Sequence, residues 1–295
     1  YRSAIRYKAD RGTDHLALAR LLMRNGNYKD AAAEFQVALD SMPGDGMAKA
    51  GLEAARRAPE IRQVGSRYTV KRLDELNGRR ADYSPMLLGD DADEIYFTST
   101  RKEAEGDELS GITGMKPGDI FYSTKDDKGK WTKPVAVTGV NSAYDEGACS
   151  FSPDGREMYL TQCVTDPSSP RYAKIMKADR ADASWGKPSV VELSRDTLSS
   201  FAHPAVSPDG EWLYFTSDMP GGMGGLDLWR VRITGHGFGG VENLGSQINT
   251  AGDEAFPTFR PNGDLYFSSN GHPGLGGYDI FIARKGKDGK TTLSH

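Results

Sequence analysis

The sequence predicts an α+β multidomain chain: a short all-α segment over residues 1–66, then an all-β propeller over residues 67–295. Three observations predict it. The phrase SPDGREMYLTQC from Ser152 recurs as SPDGEWLYFTS from Ser207 and as RPNGDLYFSSN from Arg260, at spacings of 55 and 53 residues. That period is the length of one four-stranded blade with generous loops. A degenerate copy, LGDDADEIYFTST, lies upstream at Leu88–Thr100, which makes four blades visible. Before residue 66 the apolar residues recur instead every three or four positions, the helical period.

In the first segment, Leu16, Leu18, Leu21 and Leu22 supply one apolar face until Gly26-Asn27 breaks the helix. Tyr28, Ala31, Ala32, Phe35, Ala38 and Leu39 build a second helix that Pro43 stops. A third, Gly46–Ala58, carries Ala48, Leu52 and Ala55 and caps the pair. So small a helical unit is stable mainly by stacking, so it is expected to pack on the propeller or on a partner. Arg56, Arg57 and Arg62 read as a solvated basic surface.

Each blade repeats one order. Innermost strands are predicted at Ser84–Leu88, Ala148–Phe151, Pro204–Val206 and Pro257–Phe259, and second strands at Glu94–Ser99, Glu157–Gln162, Glu211–Ser217 and Asp264–Ser269. Third strands follow at Asp119–Ser123, Ala173–Lys177, Asp227–Val231 and Asp279–Ala283; outer strands fall at Lys133–Val137, Pro188–Glu192 and Gly240–Leu244. Tyr96, Tyr159, Tyr214 and Tyr266 alternate with Phe97, Leu160, Phe215 and Phe267, the period of two that two packed faces require. Tyr68–Leu73 (YTVKRL) reads as one more outer strand, placed to complete a closing blade. An open ring would leave unpaired sheet edges. A closing blade is therefore expected from residues beyond the chain, giving five blades, and the start at Tyr1 suggests a trimmed N-terminus.

With 26% charged residues, 37% hydrophobic residues and a net charge of −4, the composition is that of a globular protein without the basic stripe nucleic acid demands. No run approaches the ~20 apolar residues of a membrane-spanning helix. Two cysteines, Cys149 and Cys163, flank the SPDG turn of one hairpin. Either they face each other as a disulfide, which would place the chain in an oxidising compartment, or they are two buried thiols.

Candidate site residues lie at the channel mouth. Asp82, Glu146 and Glu254 occupy equivalent positions ahead of three blades, with Asp145 and Asp253 beside two of them. Acids so placed either gather a cation or basic chain, or each caps a local turn. His203 stands near the odd position of blade three as a core or channel histidine, and no second His or Cys at ligand spacing supports a metal. The loops MPGGMGG and GHPGLGG lack the helix and Lys-Ser/Thr of a phosphate loop, and their glycines are expected to serve turns with positive φ. The long loop Thr100–Gly118, acidic at Glu103, Glu105, Asp107 and Glu108 and apolar at Ile112 and Met115, is a candidate partner contact. No catalytic or cofactor motif appears, so the chain is expected not to be an enzyme.

Gly26, Tyr28, Ala31, Phe35, Ala38 and Pro43 resemble the second half of a tetratricopeptide repeat, although His15 and Ala19 stand where that family has Trp and Gly. The strings SPDGEWLYFTSDMPGGMGGLDLWRV and RPNGDLYFSSNGHPGLGGYDIFIA resemble the WD40-like, TolB-type propeller repeat. Blade one departs by lacking SPDG, and blade two by having Arg171-Tyr172-Ala173-Lys174 in place of the Gly-Gly-x-Asp turn. The combination is similar to PorE-type proteins, periplasmic components of the type IX secretion apparatus of Bacteroidetes. That resemblance implies a periplasmic, outer-membrane-associated scaffold that binds other subunits of an envelope secretion complex. It also implies a tether to peptidoglycan through a domain outside this chain. The alternatives are a propeller that binds or hydrolyses a sugar or peptide at the channel mouth, or a TolB-like translocation hub.

Overall fold

The computed structural model describes residues 11–65, 68–89, 91–106, 109, 115–164, 172–182, 184–286 and 291–294. Among the described residues three helices come first: α1 Gly12–Arg24, α2 Tyr28–Ser41 and α3 Gly46–Val64. Gly26, at φ +74, ends α1, and its own N–H and that of Asn27 fold back on the Met23 and Leu22 carbonyls. Asp45 starts α3 by accepting the Ala48 N–H at 2.7 Å. Leu18, Leu22, Phe35, Ala38, Leu52 and Ala55 form one core, and a Cβ at Gly51 would overlap the Phe35 ring, so α3 must be bare there. Buried His15 meets Glu34 at 2.5 Å and ties α1 to α2. Helix α3 runs past the predicted stop at Ala58, because Pro59 removes only one backbone bond from a helix held by packing.

Four antiparallel sheets follow, each a meander. Blade one is β1 Asp82–Leu88, β2 Glu94–Ser99, β3 Asp119–Thr124 and β4 Val135–Ala136. Blade two is β5 Asp145–Phe151, β6 Glu157–Cys163 and β7 Ala173–Ala181, with short β8 Ser184–Trp185 and β9 Ser189–Val190 both on β7. Blade three is β10 Phe201–Val206, β11 Trp212–Ser217, β12 Asp227–Thr234 and β13 Gly237–Asn243. Blade four is β14 Glu254–Phe259, β15 Leu265–Ser269, β16 Asp279–Lys285 and β17 Thr291–Ser294. Neighbouring blades pack in chain order. Alternation along a strand divides each sheet between two cores: Met158 and Leu160 join Tyr96, Phe151 and Trp185 toward blade one, while Tyr159 joins Phe201, Phe215 and Trp229 toward blade three. The free face of blade one is covered by its own loops, with Leu76 and Ala104 over Ile95, Phe97 and Phe121.

The helical unit rests on blade four. A Cβ on Gly276 would come within 2.9 Å of the Met23 carbonyl, and one on Gly46 within 2.7 Å of the Ala251 methyl. Gly276 also has φ +144, so this close approach admits no other residue without strain.

Hydrogen bonds staple the blades together. Asn141 pairs with both backbone groups of Ile120 in blade one, at 2.9 and 3.0 Å, and Asn249 does the same to Leu228 in blade three, at 2.8 and 3.0 Å. Asp145 accepts the Gly118 N–H at 2.7 Å, and Asp253 accepts that of Leu226 at 3.0 Å. Each innermost strand also bulges at one non-glycine residue of positive φ: Ser84, Ala148, His203 and Phe256, at +50, +45, +52 and +54. Such a conformation costs roughly 1–2 kcal/mol. The neighbouring blade offsets it at two of them, where Thr98 accepts the Ala148 N–H and Thr161 the His203 N–H.

Two expectations are corrected. The cysteines are free and do not face each other. Their hairpin pairs Ser150 with Tyr159 and Asp145 with Cys163, so Cys149 sits in the bulge several residues along the ladder from Cys163. At about 3.3 Å per residue that offset exceeds the roughly 7 Å limit between disulfide Cα atoms. Tyr68–Leu73 is not a strand. Its Tyr68 hydroxyl lies 3.2 Å from that of Tyr266 in blade four, whose outer edge β17 already occupies.

Replacing Asn249 by Ala strands the buried Leu228 N–H and carbonyl together. Denaturant unfolding of Asn249→Ala is expected to show a loss of about 2–3 kcal/mol. Asn77→Ala, at an exposed hydrogen bond to the Leu73 N–H, should cost under about 0.5 kcal/mol.

Candidate functional site

The sequence-predicted acids occupy matching places at the head of the innermost strands, and each is consumed by its own blade. Glu254 accepts the Thr250 N–H at 2.8 Å and the hydroxyls of Thr250 and Ser269 at 2.7 and 2.6 Å. Glu146 accepts the Ser142 N–H at 2.9 Å, the Ser142 hydroxyl at 2.5 Å and the Gln162 amide at 2.8 Å. Asp82 accepts the Gly78 N–H, the Ser99 hydroxyl and the Arg101 guanidinium at 2.7, 2.7 and 2.6 Å. In all three the backbone donor lies four residues upstream, so the carboxylate closes the turn that enters the strand. Phe201 takes the place in blade three and is buried.

Their electrostatics differ with the partner. Burial pushes Glu146 and Glu254 upward, only partly countered by their hydroxyl and amide donors. Burial acts on Asp82 in the same sense, but the bonds from Arg101, Gly78 and Ser99 together outweigh it and hold Asp82 below the ordinary carboxylate range. Arg101 also lies over the Phe97 and Phe121 rings, 5.1 and 5.0 Å from their centroids, so the pair covers the free face of blade one.

His203 stacks on Phe256, ring centroids 3.8 Å apart at 25°. Burial lowers its pKa to about 4, and its Nδ1 has no hydrogen-bond partner among the described residues. Among the described residues no three His, Cys, Asp or Glu side chains gather as a metal site.

A second aspartate position was readable in the Gly-Gly-x-Asp repeat. Asp227 accepts the N–H groups of Met223 and Gly224, and Asp279 those of Leu275 and Gly276, which fastens each glycine-rich loop to the third strand it precedes. A Cβ on Gly222 or Gly274 would collide with these carboxylates, and one on Gly224 or Gly225 with the entry loop of blade four. Close approach explains these glycines; positive φ, the expected reason, holds only for Gly221, Gly276 and Gly277 in these two loops. In blade one the equivalent Asp119 accepts the Glu105 N–H at 2.6 Å, and its Oδ1 is buried without a partner among the described residues. Burial, then Glu146 and Glu105, push its pKa up to about 7 against the backbone bond and Lys116. Of the long loop, Asp107, Glu108 and Ile112 lie outside the described residues, as does Arg171 in blade two; the Met115 sulfur accepts the Thr100 hydroxyl at 3.6 Å.

The loops entering the innermost strands and those joining second to third strands share one face of the propeller. Exposed there are Tyr144, Tyr172, Leu198, Met223 and Tyr278, at 47, 58, 70, 46 and 51% of full accessibility. The opposite face carries the SPDG turns, where Ser152 and Ser207 bond Asp154 and Asp209 in polar, local networks.

No family model matches the chain, and no curated protein matches it. Among solved structures, TolB from Acinetobacter baumannii superposes with a TM-score of 0.44 at 20% identity, over 74% of this chain and 44% of that one. The putative TolB from Agrobacterium tumefaciens gives 0.43 at 19% identity, over 69% and 61%. An alpha-L-arabinofuranosidase from Lactobacillus brevis gives 0.44 at 14%, over 71% and 74%. The chain thus spans less than two thirds of the length of both TolB structures. Likeness at this level concerns fold only, and the propeller assignment rests on the strand order above.

Asp119 makes stability pH-dependent. An acid whose pKa rises from 3.8 to about 7 on folding binds its proton more tightly when folded. Its contribution is full below about pH 4 and is lost as pH rises through about 7. Urea unfolding of Asp119→Asn at pH 4, 5.5 and 7 should show a fall in stability smaller than that of the native chain by on the order of 2–4 kcal/mol. Parallel pH profiles for the two proteins would refute the assignment.

Proposed function

We propose that the chain is a non-enzymatic interaction module, in which a rigid propeller and its docked helical unit bind other protein components of a cell-envelope complex. The observation that carries this reading is the asymmetry of the propeller faces. Monomeric surfaces scatter their exposed apolar residues singly, whereas clustering on loops held by a rigid scaffold marks a contact face. Tyr144, Tyr172, Leu198, Met223 and Tyr278 all project from one loop face, and aromatic and Met side chains are the types enriched in protein interfaces. The carboxylates that would be needed for acid–base or metal chemistry at the channel mouth are engaged by donors of their own blades, which favours the scaffold over a hydrolytic propeller.

In its finer form, the reading is a PorE-type component of type IX secretion, periplasmic and outer-membrane associated, with a tetratricopeptide-like helical unit. Its attachment to peptidoglycan would come from a domain outside this chain. This rests on the sequence resemblance alone. The described residues contain no helix long and apolar enough to cross a membrane.

A photo-crosslinking amino acid at Tyr144 or Leu198 should yield defined protein adducts in cells, and one at Asp154 on the opposite face should not. Changing Met223 and Tyr278 to Ser should reduce those adducts severalfold. Adducts of small molecules only, or equal protein adducts from both faces, would reject the loop face as a protein-binding surface.

A further inference from the structure

Between the helical unit and blade four lies a cleft of about 410 Å³. Ala17, Ala50 and Ala54 line its helical side, Tyr278 and the glycine-rich loop the other, and Arg20 and Arg24 border the same space. These two arginines stand one turn apart on α1, where side chains four residues apart are neighbours and like charges repel. Both are exposed, and neither has a hydrogen-bond or ion-pair partner among the described residues.

The nearby carboxylates are already committed. Asp253 accepts the Leu226 N–H, the Asn270 amide and the Tyr278 hydroxyl, and Asp279 holds the N–H groups of Leu275 and Gly276. Arg20 and Tyr278 border the cleft from its helical and loop sides. A chain of net charge −4 thus presents two adjacent guanidinium groups to a concavity whose lining acid, Asp279, is turned to the N–H groups of its own loop.

We infer that this cleft is a binding site for a ligand carrying two carboxylates joined by a short aliphatic spacer. Each guanidinium offers a planar fork matched to one carboxylate. The alanines give the spacer an apolar floor, and the cleft volume falls in the range of small-ligand sites. Two acidic side chains of a peptide, or a free polycarboxylate, present this chemistry equally well. The inference shares Tyr278 with the loop-face reading above, but it rests on Arg20 and Arg24, which that reading does not use.

The test is calorimetric titration of the whole chain with two probes, tricarballylate as the free form and the peptide Gly-Ser-Gly-Glu-Glu as the chain-borne form. At least one should bind, and the stronger identifies the source. Arg20→Gln with Arg24→Gln should weaken it at least tenfold at unchanged Tm. Arg20→Lys with Arg24→Lys, which keeps the charge and loses the forks, should weaken it less. Three outcomes overturn the inference: neither probe binds at millimolar concentration, the double Gln variant binds as the native chain does, or inorganic phosphate displaces both probes at equal concentration.

Discussion

The structure depends on how one blade is held to the next. Sheets that meet only through apolar faces can slide or rotate, since hydrophobic contact is non-directional. Here the blade junctions are fixed by backbone groups that find side-chain partners across the gap. Asn141 and Asn249 act as surrogate strand residues, each offering a donor and an acceptor to one residue of the preceding blade's third strand. Asp145 and Asp253 add the neighbouring N–H. At junction two/three Ser200 stands in, accepting the Ala173 N–H at a longer 3.4 Å. The Thr216 hydroxyl, equivalent to Thr98 and Thr161, has no partner among the described residues at junction three/four, where His203 and Phe256 stack instead.

This constraint accounts for what the acids do. Ahead of three of the four innermost strands a carboxylate closes the entry turn, and beside two of these, Glu146 and Glu254, an aspartate reaches the previous blade. Repetition of Asp and Glu along the chain therefore records repeated architecture before it records chemistry. The same holds for the Gly-Gly-x-Asp turns, where aspartate gathers loop N–H groups and glycine lets two loops touch.

Much of this was legible in the sequence. Second strands came out within a residue of their predicted bounds because alternating Tyr and Phe leave no other periodicity. The helices were legible because Gly26 and Pro43 interrupt the apolar period. What failed was register. The hairpin axis of β5 and β6 lies short of the midpoint of the cysteines, and a bulge, which has no sequence signature at Ala148, shifts the ladder further. The strand expected at Tyr68–Leu73 failed because likeness to an outer strand shows a capacity to pair and not the presence of a free edge, and β17 holds the outer edge of blade four. The repeated Asn-[Ser/Thr]-Ala-x-Asp-Glu string, at Asn141 and Asn249, was available as a signal for the junctions and went unread. The cleft of Arg20 and Arg24 could not be read at all, since it joins residues some 250 positions apart in the chain.

Hydrogen–deuterium exchange on Asp253→Ala addresses the junction account directly. The Leu226 amide should lose protection by at least tenfold while Gly118 and Ile120, at the junction of blades one and two, keep theirs. Unchanged protection at Leu226, or an equal loss at both junctions, would contradict the claim that these side chains individually hold neighbouring blades in place.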